Sequence, residues 1–283
     1  MLTTPLPDLP SPGLRRLAGF ALFLGVALVQ AGQAQPRSSL RDWELSCRSR
    51  EEADRDREQT CTIVERTLAA GSRLYVDGRM NGGIVVLGEN RGDILVRAMI
   101  RANAPTRSRA EALAGEVRLH AENGRVFAEG PESRGREWWS VNYEVHVPSR
   151  LDLDLKAHNG GISVAAVTGM LRMETMNGGI HLDAVEGDVV AETTNGGLVV
   201  DLAGAGWKGR GLDATTTNGG IRLRVPSDYS AHLVTGTVNG GVDIDFPVTV
   251  SGRIGKRIST DLGRGGAPLR LMTANGGVTI VRQ

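Results

Sequence analysis

The tripeptide Asn-Gly-Gly occurs seven times in this 283-residue chain, and each copy is followed by Ile, Leu or Val. A tripeptide that recurs in one hydrophobic context indicates a repeated structural unit, so a repeat architecture has to be considered before any other fold. The chain also contains 38 glycines, many of which recur in phase with the tripeptide. The seven copies begin at Asn81, Asn159, Asn177, Asn195, Asn218, Asn239 and Asn275.

The most regular copies, at Asn159, Asn177 and Asn195, are 18 residues apart, with further glycines halfway between them at Gly169 and Gly187. After each copy, apolar and other residues alternate with a period of two, which is typical of β-strands. Two strands and two turns complete one coil, and coils can stack at about 4.8 Å. The sequence therefore predicts an all-β, single-chain β-solenoid, of the β-helix or β-roll type, over residues 67–283.

Insertions interrupt this period without destroying its phase. Residues 104–150 lack the repeat, and "SRAEALAGE" within them is consistent with a short helix or an irregular loop. The longest later insertion runs from Phe246 to about Ala267. If coils stack in chain order, the strand Val278–Arg282 has one open edge. We expect the long insertion to cover that edge; otherwise, edge-strand self-association is possible.

The tripeptide is predicted to be structural because Asn and Gly tolerate positive φ in tight turns. A threonine two positions before five of the asparagines should face inward, and the Asn amides should stack as a hydrogen-bonded ladder. Two functional interpretations of the tripeptide do not fit. Calcium-binding β-rolls require a carboxylate in the turn, whereas this turn has an amide. A phosphate-binding glycine loop opens a helix, whereas this tripeptide is predicted to open a strand. An ice-binding face would need outward threonines where this chain has Ser163, His181, Val199, Arg222, Asp243 and Thr279.

The N-terminus resembles an export signal. Arg15 and Arg16 precede an apolar run from Leu17 to Ala31, and small residues end at Ala34. We expect residues 1–34 to form a cleaved signal peptide, with a retained anchor as the alternative. The mature chain would then be periplasmic, extracellular or on the cell surface of a bacterium, with no stable membrane span.

Two cysteines, Cys47 and Cys61, lie in the segment 35–66 beyond this cleavage site. In an exported protein, two cysteines at this spacing most simply form a disulfide. Metal binding is the alternative, although no CxxC motif or nearby histidine accompanies them. We therefore expect a disulfide-containing N-terminal segment ahead of the solenoid.

Neither the composition nor the positions of the polar side chains within the repeat indicate a particular chemical activity. The net charge of +1 and an aromatic content of 4% do not indicate a nucleic-acid surface. The histidines share no phase, and Asp243 and Asp245 resemble a solvated face more than a catalytic pair. We expect no catalytic residues, metal or cofactor. Of Trp138 and Trp139, the side chain that points outward is a possible ligand contact for a carbohydrate.

The Thr-x-Asn-Gly-Gly turns, the mid-coil glycines and the strand "YEVHVPSRLDLDLKAHNGGISV" together resemble the bacterial "putative adhesin" family of β-strand-repeat domains, a domain of unknown function. The resemblance extends from about Leu74 to Ile280. It implies a β-solenoid in the bacterial envelope or exterior, and it transfers no catalytic residue.

These observations favour a non-catalytic, exported envelope protein, acting as a β-solenoid scaffold or adhesin-like binding module. Its partner would be an envelope protein or a cell-surface glycan, bound on the long rigid faces of a solenoid. The alternative is a polysaccharide-active, glycan-cleaving β-helical enzyme. That activity requires carboxylates clustered on adjacent coils, which we do not expect from the spacing.

Overall fold

The computed structural model describes residues 43–44, 47, 58–245 and 256–283, so the predicted signal peptide lies outside the described residues. Within this part of the chain, strands dominate and one helix, α1 (Arg107–Glu116), is complete. Trp43, Glu44 and Cys47 are also helical. The described strands are β1 Glu58–Ala69, β2 Arg73–Asp77, β3 Ile84–Glu89, β4 Asp93–Ala104, β5 Arg118–Glu122, β6 Arg125–Glu129, β7 Trp138–Pro148, β8 Asp152–Ala157, β9 Ile162–Ala165, β10 Thr168–Asn177, β11 Ile180–Asp183, β12 Glu186–Asn195, β13 Leu198–Asp201, β14 Gly211–Asn218, β15 Ile221–Val225, β16 Ala231–Asn239, β17 Val242–Ile244, β18 Arg257–Leu262, β19 Pro268–Asn275 and β20 Val278–Arg282.

The strands form two ten-stranded sheets that are mostly parallel. Sheet A has the order β1-β4-β7-β3-β9-β11-β13-β15-β20-β17, and sheet B has the order β18-β16-β19-β14-β12-β10-β8-β2-β6-β5. A sheet B strand, an Asn-Gly-Gly turn and a sheet A strand make up each regular coil, and the coils stack in a solenoid-like array. The all-β prediction is confirmed.

Register between the regular coils follows the sequence period. Thr168 pairs with Glu186 in sheet B, and Ile180 pairs with Leu198 in sheet A, an offset of 18 residues in both sheets. The two strands of a coil are unequal, because β10 has ten residues and β11 has four. Sheet B therefore presents the broader outer face.

The core lies between the two sheets and follows the alternation seen in the sequence. After six of the seven turns the first residue is buried, and so is the residue two positions later, whereas Val242 and Ile244 after the turn of Asn239 are partly buried. On the sheet B side, Leu153, Leu171, Val189, Leu212 and Leu269 occupy the matching inward row. Burial of each such side chain stabilises the fold by about 1.5–3 kcal/mol.

The last coils do not stack in chain order, which corrects the expectation that Val278–Arg282 lies at an open edge. β19 lies between β14 and β16, and β20 lies between β15 and β17. The insertion strand β18 pairs antiparallel with β16, so it does not cover β20. Every coil presents the same turn and strand edges, so stacking energy alone does not require sequence neighbours to be spatial neighbours.

The irregular residues 104–150 supply the other end of the stack. "SRAEALAGE" is helical and belongs to α1, which Thr106 caps by accepting a hydrogen bond from the Arg109 backbone N–H at 3.3 Å. β5 and β6 form a hairpin whose turn residues, Asn123 and Gly124, have φ values of 51° and 69°, as expected for an Asn-Gly turn. Strand β1 runs through 58–69 and thus crosses the predicted boundary between segments 35–66 and 67–283.

Candidate functional site

The asparagines of the seven turns form one continuous ladder along the stack. Each Asn except Asn81 donates from Nδ2 to Oδ1 of the Asn on the neighbouring coil, at 2.8 Å in five pairs and at 3.1 Å from Asn159 to Asn81. The spatial order of the ladder is Asn81, Asn159, Asn177, Asn195, Asn218, Asn275 and Asn239. This ladder fixes one corner of every coil.

A row of buried threonines supports the ladder from inside. Each Thr hydroxyl donates to the carbonyl of the first turn glycine on the neighbouring coil at 2.7–2.8 Å, as Thr193 does to Gly178. These hydroxyls give each of those partly buried turns a hydrogen bond to the neighbouring coil. The five donors are Thr175, Thr193, Thr216, Thr237 and Thr273.

The turn glycines are required for close stacking, whereas positive φ was the expected reason. None of the seven turn asparagines, all of which the structure describes, has a positive φ, and Gly276 is the one such case among the turn glycines. A Cβ atom on Gly178 would lie 2.2 Å from the Gly160 carbonyl oxygen. The first glycine of the turn therefore excludes any side chain because the next coil occupies the space.

A long groove runs along the outer face of sheet B beside the ladder. Its volume is about 770 Å³, and it extends from the coil of Asn81 to the coil of Asn239. The residue just before each Asn forms one wall, in the spatial order Met80, His158, Met176, Thr194, Thr217, Ala274 and Val238. We call these residues the groove row.

The groove row contains most of the large apolar side chains that the described residues expose. Met80 is 59% exposed, Met176 is 46% exposed and Val238 is 63% exposed, and the fourth such residue, Met170, lies outside the groove. Exposed apolar side chains that lie along one groove make that groove a candidate binding surface. The row was not predicted from the sequence, because the predictions rested on the residues that follow each turn, whereas the row precedes the turns.

Charge is concentrated at one end of the groove. Lys156 and Glu174 form an ion pair at 3.6 Å, and Arg79 lies 3.5 Å from Asp77. Towards the coil of Asn239 the lining is uncharged and consists of Thr215, Thr217, Met272, Ala274 and Val238. Glu192 also lines the groove, so the groove combines a charged section that reaches the coil of Asn195 with a neutral section rich in hydroxyl and apolar groups.

Trp138 and Trp139, the predicted ligand contacts, have different surroundings. Trp139 packs against the core and donates from Nε1 to the Pro131 carbonyl at 2.7 Å. Trp138 lines a separate depression of about 450 Å³ with Asn81 and Asn159. Of the two, Trp138 is therefore the one positioned at a surface depression.

A second polar cluster lies on the outer face of sheet A. Asp183 and Asp201 pair in register on adjacent strands, and Asp201 contacts His181 at 3.0 Å and Arg224 at 2.9 Å. Burial and the neighbouring Asp201 raise the pKa of Asp183. Burial also opposes ionisation of Asp201, but His181 and Arg224 outweigh that effect and lower its pKa.

This cluster differs from the sequence expectation. Asp183 and Asp201 are 18 residues apart, so the repeat itself places two carboxylates on adjacent coils, which the spacing argument had overlooked. Asp243 and Asp245, the pair considered from the sequence, are exposed. Within the described ranges, no group of three or more His, Cys, Asp or Glu side chains could hold a metal ion.

The outer face of sheet A is covered near β4 and β7 by the N-terminal segment. Trp43 donates from Nε1 to Glu144 at 3.1 Å, and Arg97 forms a buried ion pair with Glu144. His146 bridges Glu144 at 3.1 Å and Glu89 at 3.0 Å. The Glu144 hydrogen bond raises the pKa of His146 and outweighs burial, and Glu89 adds to the increase.

The disulfide between Cys47 and Cys61 joins this segment to β1, with the two Cα atoms 5.5 Å apart. Cys47 is buried, and Cys61 lies on the strand that pairs with β4. The covalent link therefore holds the Trp43 segment against the polar network of Arg97, Glu144 and His146.

The fold and its surfaces define a β-repeat protein whose coils present a long open groove. The chain belongs to the Toastrack DUF4097 family, which matches residues 85–281. The resemblance to the adhesin-like β-repeat family is thus confirmed. No curated protein matches the chain in sequence.

Several solved structures are similar to this chain. A "putative cell adhesion protein" from Clostridium sporogenes is 10% identical, with a TM-score of 0.44, over 78% of this chain and 100% of that chain. A "putative adhesin" from Bacteroides fragilis is 10% identical, with a TM-score of 0.35, over 78% of this chain and 97% of that chain. A "putative adhesin" from Parabacteroides distasonis is 8% identical, with a TM-score of 0.34, over 77% and 97% of the two chains.

In the residues that the structure describes, no helix has the length and apolar character needed to cross a bilayer.

Proposed function

We propose that this protein is an exported, non-catalytic, adhesin-like binding module that holds an extended polymer in the groove on sheet B. The observation that carries the proposal is the alignment of Met80, Met176 and Val238 along one exposed row. A solenoid-like stack keeps these side chains at fixed separations, so the surface is organised before a ligand arrives.

Dimensions support an elongated ligand. The groove row spans six coil steps, which corresponds to about 29 Å at about 4.8 Å per step. Pockets for small molecules enclose most of the ligand surface, whereas this groove is open along its length. The partner in this proposal is an envelope component, and the leader-like N-terminus together with the disulfide supports export.

Immobilised wild-type protein and the triple variant M80E/M176E/V238E test the proposal. Each is incubated with bacterial envelope extract that has been separated into protein and glycan fractions. We expect the wild type to retain material from one fraction and the triple variant to lose about tenfold or more of that binding, because charges replace the apolar row. Equal retention by both proteins would contradict the groove assignment.

The alternative function is a polysaccharide-active enzyme, and the Asp183–Asp201 pair is the observation that favours it. Neighbouring carboxylates with pKa values shifted in opposite directions can divide acid and base roles. Release of reducing ends from envelope polysaccharide, measured for wild type and for D183N and D201N variants, distinguishes the two functions. Release that both variants abolish would support the enzyme, whereas binding without release supports the module.

A further inference from the structure

Strand β7 directs a row of side chains to the outer face of sheet A near the beginning of the ladder. Residues of a strand point alternately to the two faces of its sheet, so Trp138, Ser140 and Asn142 share one face. Trp139 lies between the first two and packs against the core instead. The three outward residues line the depression of about 450 Å³, together with the first two Asn-Gly-Gly turns.

Several hydrogen-bond donors around this depression have unused capacity. Asn142 accepts at Oδ1 from the Gly83 backbone N–H at 2.9 Å, which leaves its Nδ2 as the available group. Asn81 accepts at Oδ1 from the next asparagine of the ladder at 3.1 Å, and as the end member it has no further asparagine to donate to. Within the described part of the chain, the Trp138 indole N–H and the Ser140 hydroxyl also make no hydrogen bond. The depression therefore presents neutral donors to a ligand that carries acceptor oxygens.

The charge of the lining distinguishes between ligands that are rich in oxygen. None of the described residues that line the depression is charged, whereas sites for carboxylates and phosphates use Arg or Lys. The face of the Trp138 indole carries partial negative charge, which repels an anion and attracts C–H groups with partial positive charge. The lining is therefore matched to a neutral ligand that combines hydroxyl groups with a C–H face, as a pyranose ring does.

A peptide would lack its usual anchors at this depression. Strands β3 and β7 each pair with a strand on both sides, so neither offers an open edge for strand addition. Trp138 is the one large apolar side chain among the described residues of the lining, so a bound peptide would find no pockets for alternate side chains. The geometry therefore favours a saccharide over a peptide.

We propose that this depression binds a neutral saccharide, with a C–H face of one sugar on the Trp138 ring and with hydroxyl groups that accept from Asn81 and Asn142. The strand rises by about 14 Å from Trp138 to Asn142, at about 3.4 Å per residue. This length exceeds one pyranose ring, so the ligand is a short oligosaccharide or a segment of a longer glycan. The groove on sheet B lies against the residues that precede the turns, whereas this site lies against the turn glycines and β7. The site is thus additional to the proposed function of the groove.

Isothermal titration calorimetry tests the site with cellotriose, maltotriose, mannotriose and N-acetylated chitotriose as neutral probes, and with trigalacturonate as the charged probe. We expect saturable binding of at least one neutral trisaccharide and none of trigalacturonate. W138A should bind that trisaccharide about thirtyfold or more weakly than the wild type, because it removes the stacking surface. W138F should stay within about fivefold, because phenylalanine keeps an aromatic face and lacks only the N–H donor.

S140E and M176E form a matched pair that leaves Trp138 in place. Each variant adds one glutamate, but Ser140 lines the depression and Met176 lines the groove on sheet B. S140E should bind the trisaccharide about tenfold or more weakly, because it places a charge in a site for a neutral ligand. M176E should stay within about twofold of the wild type, and circular dichroism should show that both variants are folded.

Three results would overturn the proposal. No saturable binding of any neutral trisaccharide at concentrations up to about 10 mM would exclude the site. Tighter binding of trigalacturonate than of the neutral probes would show that the ligand is an anion. Equal losses in W138A and W138F, or in S140E and M176E, would show that the saccharide does not lie on Trp138. None of these results bears on the groove, whose function is tested separately by envelope retention.

Discussion

Asn275 donates its side-chain amide to Asn218 at 2.8 Å, although 57 residues separate them, and it accepts from Asn239 at 2.8 Å. Asn275 is therefore an internal member of the ladder even though it belongs to the last turn of the sequence. In space, the coil of β19 and β20 lies between two coils that precede it in the chain.

Replacing Asn275 by Ala should destabilise the fold more than replacing Asn239. Asn275 makes two ladder hydrogen bonds, whereas Asn239 makes one. At about 0.5–1 kcal/mol for each exposed hydrogen bond, we expect losses of about 1–2 kcal/mol and about 0.5–1 kcal/mol. Urea denaturation measures both; a larger loss in N239A would place the end of the ladder elsewhere.

Replacing Gly178 by Ala should cost about 3 kcal/mol or more. The new Cβ would lie 2.2 Å from the Gly160 carbonyl oxygen, so the coils must separate locally. Gly92 is the control, because a Cβ there meets nothing within 4 Å, and G92A should change the free energy of unfolding by less than about 0.5 kcal/mol. Similar losses in the two variants would argue against close stacking as the reason for the turn glycines.

Thr193 and Thr194 offer a matched pair on one strand. Thr193 is buried and donates to the Gly178 carbonyl at 2.8 Å, whereas Thr194 is exposed in the groove. T193V should lower the free energy of unfolding by about 1 kcal/mol, since it removes the hydroxyl that donates to the Gly178 carbonyl between the coils. T194V should stay within about 0.5 kcal/mol of the wild type, and a reversed ranking in thermal or urea unfolding is incompatible with the inward threonine row.

The free energy of unfolding should fall as pH rises, because His146 loses its proton. Its pKa is raised in the folded protein by Glu144 and Glu89, so its contribution is complete below the ordinary pKa of about 6.5 and is lost as pH passes the raised value. Arg97 and Trp43 also face this network through Glu144.

Unfolding of wild type and H146Q at pH values from about 6 to about 9 measures this effect. We expect the wild type to lose stability relative to the variant over this range. Parallel pH profiles for the two proteins would show that His146 does not titrate with folding.

Reduction of the Cys47–Cys61 disulfide should destabilise the N-terminal segment. The cysteines are separated by 14 positions, for which loop-closure entropy gives about 3 kcal/mol. Intact mass without reductant should be lower than with reductant by the mass of two hydrogen atoms, and a C47S/C61S variant should reproduce the loss of stability. Two free thiols in the oxidised mature protein would contradict the bond.

The period of the turns predicted the local structure well, because a parallel strand pair places residues one period apart side by side. The buried threonines and the Asn ladder follow from that rule, as do Asp183 and Asp201, whose juxtaposition we overlooked in the sequence. The order of the last coils could not be predicted. Asn239 and Asn275 both begin the sequence Asn-Gly-Gly-Val, and phase alone does not say which of them contacts Asn218.

The apolar residues of the groove row could also have been predicted from the sequence, since "MNGG" occurs at Met80 and Met176 and "VNGG" at Val238. The place of Val238 in the row could not be predicted, because it depends on the reordered coils. Trp138 and Trp139 could be separated into an inward and an outward residue only by the structure, because alternation does not assign the faces.

The most direct test of the binding account compares the affinity of M176E and M170E for purified bacterial envelopes, in one titration with labelled protein. The two methionines share a strand and have nearly equal exposure, 46% and 47%, but only Met176 lines the groove. The account predicts that M176E binds about tenfold or more weakly than the wild type, while M170E stays within about twofold. Equal affinities for the two variants would contradict the assignment of the groove as the binding surface.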